Sequence, residues 1–598
     1  MFDTPASMRL GHALAAATGA LLGACSLAVD FAECRDDADC MTQGGDQWQC
    51  MAGRCVDPGT PDPSSTGEPP DPTTGPVPGT SSGDDTTTTD DGTTTTGLTA
   101  TTTGTSDTGD TDTDTGALTC TLNSECEAAL GDGNLCVAGA CVSALTEECK
   151  KLVWPSGASH DKVVLLGSTI PLSPPYDTLT VPLQNAMQLA IEDYNATTDL
   201  PGGNKVAWIA CDDHGSVDRA VTVAQHLTGT LQIQAIVGPI FSEQVLAVAE
   251  QVTVPAGVFT ITPTASAKAI TTLEDDGLVW RPIASDVYQS NALADRVLAL
   301  NPKAAKVAML GKEDAYGKGI ISDVTKRLSP LLKANFKSFP YPDPVTKTPD
   351  ELMAAYALIL TDAWGAKDMH PDTMLYAGTS EVVNLVLGTM QAWSLEKNPA
   401  PPIPRMIVTH GAVPTMQTTV NVAPAALKPI LIAYLEGVAP EIFDPQNFEA
   451  FNLRYKIRFA GVDAITAGSL SYDAAMVTIL AMAAVPKGDP ITGAAIAKNM
   501  AKLVDKKGEA VSFGDVDGTE LVFIEKAHNA LVTNGTVDLK GVSGALDFDL
   551  TTGEVRTNVV GWGLEPDEMD PNVPVLTPKR IYVLGPPPAE TGTWMDLP

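Results

Sequence analysis

Residues able to do chemistry collect in this chain at the ends of short apolar runs. Ile233 to Ser266 reads IQAIVGPIFSEQVLAVAEQVTVPAGVFTITPTAS, with Ser242 following one run and Thr264-Ala265-Ser266 following the next. Hydroxyls and free backbone amides at helix starts favour an anion without help from Lys or Arg. Ser242, Thr264, Ala265 and Ser266 are therefore candidate contacts to a carboxylate. A Ser in such a place also caps helices, and the two roles are compatible. Catalytic patterns are lacking: there is no Ser elbow between glycines, no HExxH and no phosphate loop. Asp212-Asp213-His214 groups three ligating residue types, but adjacent side chains in one loop cannot all face one ion. FGDVDGTE, Phe513 to Glu520, shares only composition with a calcium loop. The expectation is a binding protein and not an enzyme, with no cofactor and no metal.

Eight of the 11 cysteines form two sets, Cys34, Cys40, Cys50, Cys55 and Cys120, Cys126, Cys136, Cys141, with gaps of five, nine and four residues in both. A repeated spacing marks a duplicated small exported module, crosslinked because its core is too small to hold alone. Four cysteines permit three pairings, and all stay open. Zinc is disfavoured, because paired two-residue cysteine gaps are missing. Both modules contain few aromatics and read as spacer or adhesion modules. Cys149 and Cys211 make the count even and are expected to pair; free thiols, or a bond from Cys149 into the second module, are the alternatives.

The remaining cysteine, Cys25, ends MRLGHALAAATGALLGAC, residues 8–25. A basic start and a short apolar run make an export signal, too short to span a membrane. The small residues before Cys25 resemble a lipobox, which implies lipid on Cys25 and a mature chain anchored at a membrane. Ser26, by resemblance to lipoprotein sorting rules, suggests the outer membrane. Residues 59–118 are nearly all Thr, Asp, Gly, Pro and Ser, with no Lys or Arg. Such a segment cannot bury enough apolar surface to offset its chain entropy, and is expected to be a disordered, solvated tether. The chain has 598 residues and a formal charge of -36, which argues against nucleic acid as a partner.

The elements that must position the hydroxyls lie in the long remainder of the chain. Strand-like runs from Lys162, from Val206 to Cys211, up to Val237 and from Phe259 to Thr262 alternate with helical patterns such as Val181 to Asn195 and Val217 to Thr228. Four βα repeats with short loops predict an α/β, doubly wound half-domain with its four strand ends on one edge, where ligands bind. The alternation restarts with Val307 to Leu310, and Tyr472 to Ala484 reads as a long apolar helix returned to the first half. Pro340 to Pro349 and Pro399 to Pro404 read as surface loops.

Gly167 with Pro171-Leu172-Ser173, Ala190 to Asn195, Asp212-Asp213, Gly238 with Ser242, and Thr262 to Ser266 with Ile270-Thr271 resemble the first lobe of the type 1 periplasmic binding proteins of the leucine/isoleucine/valine-binding class. The resemblance continues through Arg281, Asp286, Gln289, Lys306 to Leu310, Asp314 to Gly317, Tyr376 to Gly378, Ser471 to Ala474 and Gly541 to Asp549. It implies two α/β lobes joined by three hinge crossings and closing on a small molecule. The implied lobes are about 160–284 with 434–535, and about 285–433 with 536–590. They form a domain, 149–598, behind a signal (1–24), a first module (25–58), the tether (59–118) and a second module (119–148). The resemblance also implies that Tyr316 closes over the ligand and that Ser380 and His410 stand in the second lobe's half of the site. Asp286, near the hinge, faces a ligand ammonium or caps its helix. The pattern departs at His410, where the amino-acid binders carry a Glu; neutral His cannot offset an ammonium. Either Glu381 or Asp286 then supplies the charge, or the ligand is not an α-amino acid. The implied function is to hold an amino acid or similar small carboxylate for an ABC permease, with a sensor or receptor lipoprotein as the alternative.

Overall fold

The structure is a computed structural model that describes residues 49–51, 54–56, 118–300, 306–366, 369–396, 401–567 and 573–597. Cys25, Cys34, Cys40 and the signal and tether readings lie outside these residues. The chain divides into two compact units, 1–115 and 116–598. In the first, Gln49–Met51 and Arg54–Val56 pair antiparallel with Cys50 opposite Cys55. In the second, Asn134–Val137 and Ala140–Ser143 pair with Cys136 opposite Cys141. The duplicated spacing thus has a duplicated backbone register. Disulfides join Cys120 to Cys136 and Cys126 to Cys141, first to third and second to fourth. The Sγ atoms of Cys120, Cys126 and Cys141 cluster within 4.8 Å because two disulfides lie side by side.

The second module packs against the domain that follows it. Its Leu135 and Ala144 share one apolar cluster with Ile209, Cys211 and Val223. Ala144 O meets His226 Nε2 at 3.0 Å, and Ser124 Oγ donates to Asp161 at 2.8 Å. A module too small for its own core gains one by packing on a larger neighbour. A third disulfide, Cys149–Cys211, closes the same junction.

A six-stranded sheet follows, built from β1 (Lys151–Val153), β2 (Val163–Ile170), β3 (Lys205–Asp212), β4 (Ala235–Val237), β5 (Phe259–Ile261) and β6 (Val279–Trp280) in the order β6-β5-β4-β2-β3-β1. Only β1 is antiparallel, at the edge beside β3. β4 and β5 are wholly buried, as parallel strands covered on both faces must be. Helix α1 (Asp177–Thr197) packs against α2 (Gly468–Ala483), every residue of which is buried. A helix apolar on all sides has no solvent face to offer and goes to the core. Asp213 accepts from Thr169 Oγ1 at 3.0 Å and from Gly215 N at 2.9 Å, and Asp212 accepts from Leu172 N at 2.7 Å, so both carboxylates shape loops.

The second sheet contains β7 (Val307–Lys312), β8 (Phe336–Tyr341), β9 (Thr373–Ala377), β10 (Arg405–Thr409), β11 (Leu435–Pro440), β12 (Val559–Pro566), β13 (Pro574–Leu584) and β14 (Gly592–Asp596), in the order β8-β7-β9-β10-β11-β12-β13-β14. The first five run parallel, and the last three extend the sheet antiparallel. Pro340 lies inside the edge strand β8, where its missing N–H faces no partner, so the expected loop starts later. The lobe limits also differ from those implied. β11 pairs with β10 and β12, so residues 435–440 stay in the second lobe, and Val537, Leu546 and Val555 join the first-lobe core. Apolar runs look alike in either lobe; only strand pairing assigns them.

Candidate functional site

In the first sheet β2 is flanked by β3 on one side and β4 on the other. At such a switch point the loops leaving neighbouring strands diverge and open a crevice. The loops after β4 and β5 line it with Ser242, Thr264, Ala265 and Ser266, and the second lobe faces them with Lys312, Asp314, Tyr316, Thr379 and His410 across a cavity of about 70 Å³. The lobes touch around it: Tyr176 OH donates to Asp343 at 3.3 Å, and Ala315 N to Glu243 at 3.2 Å. Of the expected residues, Asp286 and Ser380 do not line the cavity. Ser380 is displaced by its neighbour Thr379, because Glu381 pins that loop by accepting from Thr379 N at 2.8 Å, Thr379 Oγ1 at 2.5 Å and Tyr341 OH at 2.8 Å.

Ser242 opens the helix Ser242–Val248 but does not cap it; its Oγ accepts from Ala267 N at 3.2 Å. A hydroxyl that accepts keeps its own proton for a ligand. Thr264 Oγ1 is committed, donating to Ile240 O at 3.0 Å, and Ala265 N donates to Thr262 Oγ1 at 3.3 Å. Ser266 Oγ lies 3.5 Å from His410 Nε2.

Arg281 holds this loop from behind. Buried on the first hinge crossing, it donates to Ala265 O at 3.2 Å, Ala267 O at 3.0 Å and Thr271 Oγ1 at 2.7 Å, and pairs with buried Glu554 on the last crossing. In a trans peptide the C=O and N–H point opposite ways. Turning Ala265 O toward Arg281 therefore turns the Ser266 amide away from it. The sequence contained Arg281 but no signal of this role, since its partners lie far along the chain.

In the second lobe, Tyr316 OH donates to Thr409 Oγ1 at 2.7 Å and lies 3.2 Å from His410 Nδ1, with the two rings edge to face. Burial pushes the His410 imidazole down to about 4, against the Thr264 carbonyl, so it is neutral near pH 7. Asp286 is the first residue of the helix Asp286–Leu300 and sits behind His410, its Oδ1 3.9 Å from Nδ1. Neither of its oxygens has a well-formed hydrogen bond. Burial raises its carboxyl to about 7, only partly countered by the Ser266 hydroxyl and Arg281.

Sequence alone does not single out Lys312. It ends β7 only 1% exposed, with Nζ 2.8 Å from Asp314, 3.7 Å from Asp343 and 5.0 Å from the centre of the Phe241 ring. Burial opposes its charge, but Asp314 and Asp343 outweigh burial and hold the ammonium well above its ordinary pKa. Asp314 also caps the helix Ala315–Leu332, accepting from Gly317 N at 2.8 Å. A Cβ on Gly317 would stand 2.2 Å from Lys312 O, so only glycine lets that helix start so close to the strand end. The one available signal was a Lys closing an otherwise apolar run.

Residues 164–346 match a protein-family model described as periplasmic binding protein, a family of binding proteins. No curated protein sequence matches the chain. Among solved structures it is similar to the leucine binding protein LivK of Thermotoga maritima MSB8 (16% identity, covering 70% of this chain and 98% of that one, TM-score 0.50). It is also similar to an ABC-transporter solute binding protein of Rhodopseudomonas palustris BisB5 (17%, 70% and 96%, TM-score 0.50) and to a type 1 periplasmic binding protein of Bordetella pertussis Tohama I (17%, 70% and 100%, TM-score 0.50). Two doubly wound lobes, joined by three crossings around a switch-point cavity, give this chain a type 1 periplasmic-binding-protein fold related to that of the leucine/isoleucine/valine-binding proteins.

Proposed function

We propose that this protein is an extracytoplasmic solute-binding protein that closes its lobes on a small carboxylate, either an amino acid or a similar acid, and presents the closed form to an ABC permease. The observation that supports this most is the cavity between the lobes, with the hydroxyls of Ser242 and Ser266 on one wall and Lys312 on the other. Calorimetry against a panel of amino acids and organic acids tests it: a saturable ligand is expected, and no response across the panel would refute it. Ser242→Ala and Ser266→Ala should each weaken that ligand roughly tenfold, the value of one hydrogen bond of about 1.4 kcal/mol.

The remaining readings are part of the same proposal. Cys25 carries lipid and anchors the chain, with Ser26 directing it to the outer membrane, and the tether holds the binding domain away from the surface. Among the described residues no helix is long and apolar enough to cross a membrane. A fatty-acid probe should label the wild type and not Cys25→Ala. The two modules and the outer-membrane reading favour a second possibility, a surface sensor that signals closure to another protein. A permease encoded beside this gene would favour transport, and its absence would favour sensing.

A further inference from the structure

An α-amino acid needs an acidic group facing its ammonium, and every carboxylate near this cavity is engaged or set back. Asp314 accepts from Gly317 N with one oxygen and holds Lys312 with the other. Asp343 takes Tyr176 OH and Val345 N on Oδ1 and lies toward Lys312 with Oδ2. Glu381 accepts from Thr379 N, Thr379 Oγ1 and Tyr341 OH and does not line the cavity. Glu243 takes Ala315 N, and Asp286 stands behind His410, outside the wall. The wall instead contains a cation. Lys312 Nζ has three hydrogens, one acceptor at 2.8 Å and the next at 3.7 Å, so it retains donor capacity toward a ligand oxygen. The carboxylates beside Lys312 are committed to it and so offer an ammonium no free acidic partner, and neutral His410 has no charge with which to attract one.

Size narrows the class further. At 10–15 Å³ for each water-sized occupant, the partly open cavity of about 70 Å³ holds roughly five to seven, which suits a short acid. Resting on the reading of this cleft as a solute site, we infer that the ligand is a short carboxylate with no ammonium and with a second oxygen acceptor for Lys312: a 2-oxo acid, a 2-hydroxy acid or a short dicarboxylate. Its carboxylate meets the Ser242 hydroxyl and the Ser266 amide and hydroxyl, and its second oxygen meets Lys312.

Calorimetry on the wild-type chain with pyruvate, lactate, malonate, alanine and propionate tests this, since the three-carbon compounds differ little beyond the group offered to Lys312. At least one of pyruvate, lactate and malonate should bind about tenfold or more tighter than both alanine and propionate. Alanine binding as tightly as these would overturn the inference, as would propionate doing so, and as would an amino acid being the only saturable ligand in a wider panel. In each of those cases the solute-binding reading survives. If nothing in the wider panel binds, that reading itself fails. Lys312→Gln should weaken the oxygenated acid about tenfold and leave propionate unchanged. Equal loss of both, in a variant that melts as the wild type does, would also overturn the inference, and if the variant does not fold the wild-type comparison stands alone.

Discussion

Replacing Arg281 with Met tests how the first lobe's half of the site is held. The change removes three hydrogen bonds, to Ala265 O, Ala267 O and Thr271, and leaves Glu554 buried without its cation. Summing those bonds would overstate the loss, because they share one guanidinium. The orphaned carboxylate dominates, and breaking a buried pair from one side costs about 3–5 kcal/mol. That is a large share of the roughly 5–15 kcal/mol that holds a domain together. Adding Glu554→Gln to Arg281→Met removes the stranded charge and should recover about 2 kcal/mol, since a neutral group costs less to bury than an ion. Denaturant titration followed by circular dichroism reads both values. Ligand affinity should fall about tenfold in the single and the double variant alike, because both lose the grip on the Ala265–Ala267 backbone. A single variant that loses less than about 1 kcal/mol, or a double variant whose loss equals the sum of the two singles, would refute a buried pair of this kind.

Asp286→Asn should flatten the stability–pH profile. The folded carboxyl sits at about 7, above its ordinary 3.8, so its contribution is full below pH 4 and is lost as pH rises through 7. Wild type should therefore lose more stability than the variant between pH 5 and pH 8, by an amount on the order of 2–4 kcal/mol; parallel profiles would contradict this. Removing the Cys149–Cys211 bond by the double Ser variant frees a loop of sequence separation 62 and should cost about 4 kcal/mol on chain-entropy grounds. Denaturation of oxidised wild type against the variant measures it, and equal midpoints would show that the bond constrains little.

The hydroxyl wall was readable in sequence because the parallel-strand rule places it: whatever follows β4 and β5 must lie at their carboxyl edge, so Ser242 and Thr264 to Ser266 fell together. The lobe assignments rested partly on the same regularity, and failed at β11, where a short buried run carries no mark of the sheet it joins. Lys312 escaped because a Lys at the end of a strand usually reaches solvent; only Asp314 and Asp343 packed around it make burial tolerable. Position along the chain points to Asp286 and Ser380, but one sits a layer behind His410 and the other gives way to Thr379 within a loop pinned by Glu381. Docking of the second module depends on a few apolar side chains such as Leu135, too sparse to form a pattern. Where position follows from periodicity it could be read, and where it follows from contacts between distant residues it could not.

A crystal structure grown with the tightest acid of the calorimetric panel tests the site most directly. The acid should lie between the lobes, its carboxylate within hydrogen-bond distance of Ser242 Oγ and the Ser266 amide and its second oxygen on Lys312. An acid bound elsewhere on the chain, or one seated in the cleft with its carboxylate turned away from Ser242 and Ser266, would contradict this placement.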